Sequence, residues 1–433
     1  MKSLIEKLIE YETWQDYLTH KCAQGQLTGC EEAELRDFVE SRAWLEVAER
    51  LQTSDGKLSI PEKRLINKLG KSSKRVVYSF TDNEQQVLKV LAWLLYAYDE
   101  AQPPHCYSFR RGYGAHRAIR QLTSLPRIDS LYCYKLDIQD YFNSINTEML
   151  LPILGEVFSE DTRLYNFFKE LLTADEAIFQ GEHLSEKRGA MAGTPTAPFL
   201  ANLYLKEMDC ELAARAAAYA RYSDDIIIFA ESPRQLAELS QRANELLAEH
   251  GLKSNPQKER YSAPGEAWEF LGISYQQGVI DLSEATQNKL KGKIHRKARA
   301  LRRWMLRKDA TWERATAAMI RSVNRKFFEG GSTHELTWSR WFFPLINTSK
   351  SLAAIDAYLQ QELRTIPTGK HTKKNYGLRY QTLKELGYRS LVHEYYEYGE
   401  QKKELPTRQP GGKSGNGPVT RCDRAQNGRP DPR

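Results

Sequence analysis

The spacing of apolar residues predicts helices at both ends of the chain. Within residues 1–60, apolar side chains recur every three or four positions, as at Leu4, Ile5, Leu8, Leu35 and Val39, which is typical of amphipathic helices. We interpret this segment as a packing or partner-binding cap. Helical spacing returns from about residue 283 and continues to about residue 398.

Between these regions, short runs rich in β-branched and aromatic residues predict strands. The runs lie at 132–138, 219–222, 226–230 and 268–273, and residues 66–80 combine a basic turn with an alternating strand, which predicts a β-hairpin. Helices are predicted among them at 84–98 and from Pro233 to Gly251, where Ser232 supplies an N-cap and Pro233 a first helical position. The final stretch, 401–433, is rich in Gly, Pro and Arg and is predicted to be disordered.

Charge changes this picture in one place. The chain of 433 residues can hold two or three domains, and its net charge of +7 is modest. Fourteen Lys or Arg and two acids, however, lie between Lys289 and Lys326. That excess is greater than solubility requires and favours a nucleic-acid backbone as partner, although a basic run is ordinarily a solvated face. The candidate contacts are Lys289, Lys293, Arg296 and Arg303.

The cysteines and the hydropathy indicate a cytoplasmic protein without a membrane partner. Six cysteines include no CxxC pair and no zinc-ligand spacing. The first residues lack a signal-peptide core, and no apolar run approaches the roughly 20 residues that span a bilayer.

A pair of adjacent acids, Asp224 and Asp225, lies between two predicted strands. Taken alone, such a turn is more often a solvated hairpin tip than a metal site. The predicted strand at 132–138 brings a further acid, Asp137, which by itself is more often a helix cap. Three carboxylates at two strand tips can hold two Mg²⁺ ions, so the acids together predict a divalent-metal site.

Two further segments carry basic residues suited to phosphate groups. Lys68 and Arg75 belong to a predicted basic hairpin, which is otherwise a solvated edge guarded by lysines. Arg110, Arg111 and Arg117 lie among glycines and aromatic residues, a composition shared by nucleic-acid contacts and bland surface loops.

These motifs, in this order, resemble those of the reverse transcriptases. The resemblance rests on LDIQDYFNSI around Asp137, TPTAPFLANLYL after Gly193 and YSDD at 222–225. It covers roughly residues 64–275 and, more loosely, 285–398. It implies an α+β right-hand fold with fingers and palm at 61–280 and an α-helical thumb at 281–400, behind the N-terminal segment 1–60. The palm would combine an antiparallel sheet with helices. Within the family, the chain is similar to bacterial retron, group II intron and defence-associated enzymes.

The resemblance also implies roles for the acids and their neighbours. Asp137, Asp224 and Asp225 would be the ligands of two Mg²⁺ ions, with the main-chain carbonyl of Ile138 adding an oxygen. Lys258 matches the candidate general acid for the leaving pyrophosphate, although an exposed loop lysine is the bland alternative.

Other residues match positions that hold the dNTP and the primer. Phe142 corresponds to the aromatic steric gate that excludes a ribose 2′-hydroxyl, and Lys68 and Arg75 to the residues that hold the triphosphate. Gly193 matches the loop glycine beside the nascent base pair. Phe270, Leu271 and Gly272 resemble the primer grip.

The sequence departs from the family pattern at three positions. Ala192 replaces the common Gln before Gly193, which removes a polar contact near the nucleotide. Ala197 replaces Ser before the second proline of the loop, and Ser223 replaces the commoner Ala of the YxDD motif. We expect fidelity, processivity or template choice to be unusual.

The resemblance therefore implies an RNA-directed DNA polymerase. No endonuclease-like cluster or appended DNA-binding domain is visible, so we expect a dedicated noncoding RNA as template, a DNA primer or product, and a role in antiphage defence. A retron or group II intron-type enzyme of a mobile element is the alternative. A catalytically idle nucleic-acid-binding scaffold is the alternative from another class.

Overall fold

The fold is known from a computed structural model that describes residues 2–25, 27–53, 56–67, 74–329 and 337–404. Lys68 lies outside the described residues, as does the predicted tail from residue 405 onward. Residues 401–404, which were predicted to belong to that tail, instead continue the last helix.

The N-terminal segment is helical, as predicted, and packs into the body of the protein. Trp14 and Trp44 stack with ring centroids 4.9 Å apart, and the backbone N–H of Leu4 donates to Asp161 at 2.9 Å. Apolar residues of this segment belong to the same buried cluster as the central strands. The helices are α1 (Leu4–Lys7), α2 (Tyr11–Gln24), α3 (Gly29–Glu40) and α4 (Leu45–Arg50).

A finger sheet follows, in which distant segments pair in the order β2-β1-β4-β5. The predicted basic hairpin is present as the antiparallel pair β1 and β2. The strands at 176–185 were not predicted, and they join β1 through the parallel pair Glu62 and Ile178. The elements are β1 (Glu62–Asn67), β2 (Lys74–Ser79), α5 (Asp82–Leu94), a 3-10 helix (Leu95–Ala101), β4 (Glu176–Phe179) and β5 (Glu182–Ser185).

The palm sheet is antiparallel and runs in the order β6-β7-β3-β8 among the described residues. Its strands are β3 (Tyr132–Asp137), β6 (Ala218–Tyr222), β7 (Asp225–Ala230) and β8 (Arg260–Ser262). The helices around it are α6 (Ala115–Thr123), a 3-10 turn (Ile128–Ser130), α7 (Tyr141–Ser144), α8 (Thr147–Val157), α9 (Thr162–Thr173), α10 (Ala197–Tyr204), α11 (Lys206–Arg215) and α12 (Pro233–Glu249). The helix α12 begins as predicted, because the Ser232 side chain accepts from the N–H of Gln235.

A small antiparallel sheet leads from the palm into the thumb helices. The run 268–273, predicted as one strand, is interrupted by a turn at Leu271 and Gly272. The strands are β9 (Trp268–Phe270), β10 (Ile273–Gln276) and β11 (Val279–Leu282). The helices are α13 (Glu284–Arg307), α14 (Trp312–Asn324), a π-helical turn (Arg325–Glu329), α15 (Trp338–Phe342), α16 (Lys350–Thr368), a 3-10 helix (Lys373–Gly377), α17 (Tyr380–Glu385) and α18 (Leu391–Glu404).

The architecture confirms the predicted α+β class. A cluster centred on α13, α14 and α16 forms the thumb core, whereas another runs from the N-terminal helices through the fingers to the palm. In the described part of the chain, no helix combines the length and apolar character that crossing a bilayer requires.

Candidate active site

Three acids meet at one end of the palm sheet. The antiparallel register of β3 and β7 places Asp137 directly opposite Asp225. A two-residue turn, Ser223 and Asp224, joins β6 to β7, and the carbonyl of Asp224 accepts the backbone N–H of Ile138 at 2.9 Å. The fold therefore brings together the three carboxylates that the sequence singled out.

The electrostatics of this site favour added positive charge. Burial, together with the charges of Asp225 and Asp137, raises the pKa of Asp224 to about 6, and burial also raises the pKa of Asp225. Lys258 Nζ donates to Asp137 Oδ1, and Lys135 Nζ lies 3.6 Å from Asp225 Oδ1. Two lysines thus offset part of the charge of the three acids.

The donor set fits a hard divalent cation. Carboxylate oxygens and a backbone carbonyl are the ligands that Mg²⁺ prefers, and all three carboxylates lie at the same end of the palm sheet. Among the described residues, no three acidic, His or Cys side chains already converge as a metal cage. The contacts of Lys258 with Asp137 and of Lys135 with Asp225 direct two of the carboxylates toward ammonium groups instead.

The backbone of the turn is held at Ser223. This residue lies in the left-handed region, with φ of 60°. Its N–H donates to Ser108 Oγ at 2.9 Å, and its carbonyl faces Arg221 Nη1 at 3.4 Å. Sequence reasoning missed both partners. A charged residue inside a short strand, such as Arg221, was the available signal of a buried contact.

The loop around Gly193 links the finger hairpin to the palm. The carbonyl of Ala192 accepts the N–H of Tyr78 on β2 at 2.8 Å. The N–H of Ala192 donates to Asn143 Oδ1 at 3.1 Å. Asn143 also donates to the carbonyl of Val76 at 3.2 Å. The backbone at Ala192 is therefore anchored even though its side chain is small, and Asn143 was not among the predicted site residues.

The predicted nucleotide contacts lie on the elements that this loop joins. Phe142 is half-buried on α7, and its carbonyl accepts the N–H of Ala190 at 2.8 Å. Arg75 is exposed on β2, opposite Ile66. The structure thus brings the backbone near Phe142, the Gly193 loop and the strand of Arg75 together.

The three arginines of the Gly-rich segment have different surroundings. The side chain of Arg110 is only 4% exposed, pairs with Asp99 at 2.9 Å and stacks on Tyr113. This corrects its predicted role, since a buried, paired guanidinium is unavailable to a phosphate. Arg111 and Arg117 are exposed and stack on the rings of Tyr96 and Tyr113.

The predicted primer grip is a tight turn between β9 and β10. Leu271 and Gly272 both have positive φ, at 50° and 84°, as a two-residue hairpin of type I′ requires. The carbonyl of Gly272 accepts the N–H of Ser283, the N-cap of α13. Phe270 is fully buried, so its side chain belongs to the core and is unavailable to a primer.

The basic thumb helix α13 gathers its predicted contacts on one side. Its buried stripe, Leu290, Ile294, Ala298 and Met305, faces the thumb core. Burial and the charges of Lys326, Lys289 and Arg296 lower the pKa of Lys293. Arg303 is exposed about two turns beyond Arg296. Cations that repel one another in this way create a surface that favours phosphate groups.

Comparison with known proteins identifies the family of the central region. Residues 61–275 match the family described as "Reverse transcriptase (RNA-dependent DNA polymerase)". The match includes the three acids, the Gly193 loop and the β9–β10 turn.

Two curated relatives are bacterial. The chain is 21% identical over 191 residues to the retron Ec86 reverse transcriptase of Escherichia coli, covering 43% of this chain and 55% of the relative. It is 26% identical over 187 residues to the retron Mx65 reverse transcriptase of Myxococcus xanthus, covering 40% and 43%. The matched region thus spans about half the length of these relatives.

Solved structures with some similarity include telomerases. An apo telomerase from Candida tropicalis aligns with a TM-score of 0.44 at 11% identity, covering 82% of this chain and 69% of that one. A telomerase from Candida albicans in complex with a fragment of telomeric RNA aligns with a TM-score of 0.40 at 12% identity, covering 85% and 68%.

Proposed function

We propose, from the premise that this chain belongs through residues 61–275 to the reverse transcriptase family, that it is an RNA-directed DNA polymerase. The observation that carries the proposal is the placement of Asp137 opposite Asp225, with Asp224 in the adjoining turn. Clustering three acids makes their ionised forms less favourable, as the raised pKa values of Asp224 and Asp225 show. A catalytically idle scaffold would have no need of such a cluster.

The acids provide the ligand set for two Mg²⁺ ions. Asp137, Asp224 and Asp225, with the carbonyl of Ile138, would hold them. When bound, such ions activate an attacking hydroxyl and stabilise the charge of a leaving pyrophosphate. The residues around the acids would orient the primer 3′-hydroxyl toward the α-phosphate of the dNTP.

Neighbouring residues would bind and select the nucleotide. Phe142 limits space at the sugar, Arg75 offers a bidentate donor to the triphosphate, and the loop of Gly193 borders the nascent base pair. Lys258 would deliver a proton to the leaving group, and the contact of its Nζ with Asp137 supports this role because it keeps the ammonium group beside the acids. The exposed Arg111 and Arg117, the turn at Leu271 and the basic face of α13 would contact the template and primer.

Primer extension tests this activity directly. Purified protein given a primed RNA, Mg²⁺ and dNTPs should lengthen the primer, whereas Asp224→Asn with Asp225→Asn should remove extension without removing RNA binding. If neither protein extended a primer, on primed templates or on RNA that copurifies, the result would instead support the idle scaffold.

For the biological role, we propose that the template is a noncoding RNA associated with the protein and that the DNA product serves antiphage defence. The exposed basic residues of α13, which include Lys289, Arg296 and Arg303, favour a stable RNA partner. The names of the two curated relatives favour a retron-type enzyme as the second candidate.

Sequencing of the RNA that copurifies distinguishes a dedicated template from general copying. One abundant RNA species, matched by DNA of complementary sequence, is expected. A broad mixture of cellular RNAs would contradict a dedicated template. Loss of phage resistance in the Asp224→Asn, Asp225→Asn strain tests the defence role, and unchanged resistance would refute it.

A further inference from the structure

A buried polar network lies directly behind the turn of Ser223 and Asp224 between β6 and β7. None of its members is among the predicted metal or substrate ligands. It connects the turn at Ser223 to α10 and to α11. The members are fully or almost fully buried. They are Gln102, Cys106, Ser108, Asn202, Asp209, Tyr219 and Arg221.

One arm of this network holds the N–H side of the turn. Ser108 Oγ accepts the N–H of Ser223 at 2.9 Å and donates to Asn202 Oδ1 at 3.1 Å. Asn202 Nδ2 in turn donates to Gln102 Oε1 at 2.7 Å and to the carbonyl of Ser108 at 2.8 Å. Both hydrogens of the Asn202 amide are thereby used, which fixes its orientation and that of the Ser108 hydroxyl.

The second arm holds the carbonyl side. The guanidinium of Arg221 binds Asp209 through Nε and Nη2, and Nη2 also donates to the carbonyl of Asn202 at 3.0 Å. Its remaining nitrogen, Nη1, faces the carbonyl of Ser223 at 3.4 Å. Tyr219 Oη donates to the same carboxylate, Asp209 Oδ1, at 2.6 Å.

The two arms contact the N–H and the carbonyl of Ser223, a residue whose backbone is strained. A non-glycine residue at φ of 60° is unfavourable, and such a conformation persists when surrounding contacts impose it. The next two residues along the chain are Asp224 and Asp225. A change in the peptide planes at Ser223 would therefore move both carboxylates relative to Asp137, which lies on a different strand.

We propose that Ser108 and Arg221 are positioning residues that set the Ser223 peptide groups and thereby the spacing of Asp224 and Asp225 from Asp137 for divalent-cation binding. This inference rests on the proposed function, since it assigns these residues to the metal site of the polymerase. Neither residue contacts a ligand of that site through its side chain; each acts through the backbone of Ser223.

The test compares Ser108→Ala with Ser240→Ala. Ser240 is a buried palm serine whose hydroxyl donates to the carbonyl of Ala237 within α12, so it controls for loss of a buried hydroxyl. The full chain is titrated with Mn²⁺, and bound ion is measured by electron paramagnetic resonance without nucleic acid. Groups behind a metal site typically change its affinity or activity by about 10- to 100-fold, and we expect a loss in that range for Ser108→Ala alone.

A second pair of variants tests the other arm. Arg221→Lys keeps a cation for Asp209 but loses the donor that faces Ser223, and Arg242→Lys is the control in a surface ion-pair network with Glu211 and Glu249. Arg221→Lys should weaken Mn²⁺ binding in the same direction as Ser108→Ala. The affinity of Ser108→Ala for primed RNA should stay close to that of the wild type, which shows that the variant is folded.

Extension kinetics supply an independent readout. Ser108→Ala should need a higher Mg²⁺ concentration for half-maximal single-turnover extension, with the KM for dNTP little changed at saturating Mg²⁺. Mn²⁺ affinity equal in Ser108→Ala and Ser240→Ala overturns the positioning role, as does a wild-type protein that binds no Mn²⁺. Weakened Mn²⁺ binding in Ser108→Ala alongside an inert wild type would uphold the positioning role while refuting the proposed polymerase activity.

Discussion

At the scale of single residues, the surroundings of a side chain decide whether it is available to a ligand. Arg110 and Arg117 both stack on Tyr113, yet Arg110 is held by Asp99 whereas Arg117 is exposed. Phe142 is half-buried and its backbone is tied to the loop beside Gly193. The backbone that carries its ring is therefore fixed relative to this loop, as a steric filter would require.

Phe142→Ala should relax the choice of sugar. Removing the ring opens space where a 2′-hydroxyl would otherwise collide, and contacts of this size discriminate by about tenfold or more. Competition between rNTP and dNTP in single-nucleotide extension measures the change. Phe167→Ala, a half-buried phenylalanine on α9 that packs against Phe168, is the control. An unchanged ratio for Phe142→Ala would remove the steric-gate assignment.

The acids of the site could be predicted from sequence because their residue type, order and strand context are local. The partners of buried polar residues could not. Ser108 and Ser223 are 115 positions apart, so their contact depends on how the segment before α6 packs beside β6. The same applies to Arg110, whose role changes once Asp99 lies within reach, and to Phe270, which local pattern cannot distinguish from an exposed aromatic residue.

At the scale of elements, the segment that contains Gly193 connects the fingers to the palm through backbone contacts. Gly193 has φ of 102°, and a Cβ there would lie 2.9 Å from the carbonyl oxygen of Tyr78 and 3.1 Å from Val77 Cβ. The close approach of this loop to β2 thus depends on the missing side chain.

Gly193→Ala should displace β2 and raise the KM for dNTP. The positive φ alone costs about 1–2 kcal/mol, and the contact with Tyr78 adds to it. Gly181→Ala is the matched control, because Gly181 also has positive φ, at 89°, but a Cβ there would meet no atom within 4 Å. Thermal unfolding and dNTP titrations of the two variants give the comparison. Equal effects in both would show that the approach of the loop to β2 is unimportant.

The basic surface of the thumb combines α13 with the π-helical turn Arg325–Glu329, whose Lys326 lies near Lys293. Replacing Lys289, Lys293 and Lys326 with Gln should weaken binding of primed RNA and lower the slope of log affinity against log salt by about 2 to 3, since each phosphate contact contributes about 0.7 to 0.9. Anisotropy titrations at several salt concentrations measure this slope. The control replaces three exposed lysines elsewhere, Lys169, Lys187 and Lys350. An equal change in both proteins would indicate only a general charge effect.

Elements differed in how well their patterns predicted them. The helix α12 has Ser232 and Pro233 at its start, and its long apolar face specifies it locally. The strands β4 and β5 span only four residues each, and β4 joins the finger sheet at Glu62 of β1, more than a hundred positions earlier. Short strands carry few periods of alternation, so their existence depends on tertiary pairing.

At the scale of the whole molecule, apolar packing divides the described residues differently from the order of the chain. The N-terminal helices share a buried cluster with the palm strands, whereas the thumb helices have a cluster largely their own. We therefore expect the stability of the palm sheet to depend on the packing of the N-terminal helices.

Trp14→Ala should consequently destabilise the palm. The indole of Trp14 is fully buried against Trp44, and its Nε1 donates to the carbonyl of Leu8 at 2.8 Å. Its removal is expected to cost about 3–5 kcal/mol. Hydrogen exchange followed by mass spectrometry should show faster exchange in β3 and β7, far along the chain from the substitution, while the thumb helices keep their protection.

The reciprocal variant completes this test. Leu359→Ala removes a fully buried residue of α16 from the thumb core, and it should increase exchange in α13, α14 and α16 with little change in β3 and β7. If Trp14→Ala raised exchange only within α1 to α4, those helices would form a unit that opens independently of the palm. Uniform acceleration in both variants would instead mean that the palm and thumb unfold together, because the contacts of Ile119 and Ile273 with the thumb core would then suffice to couple them.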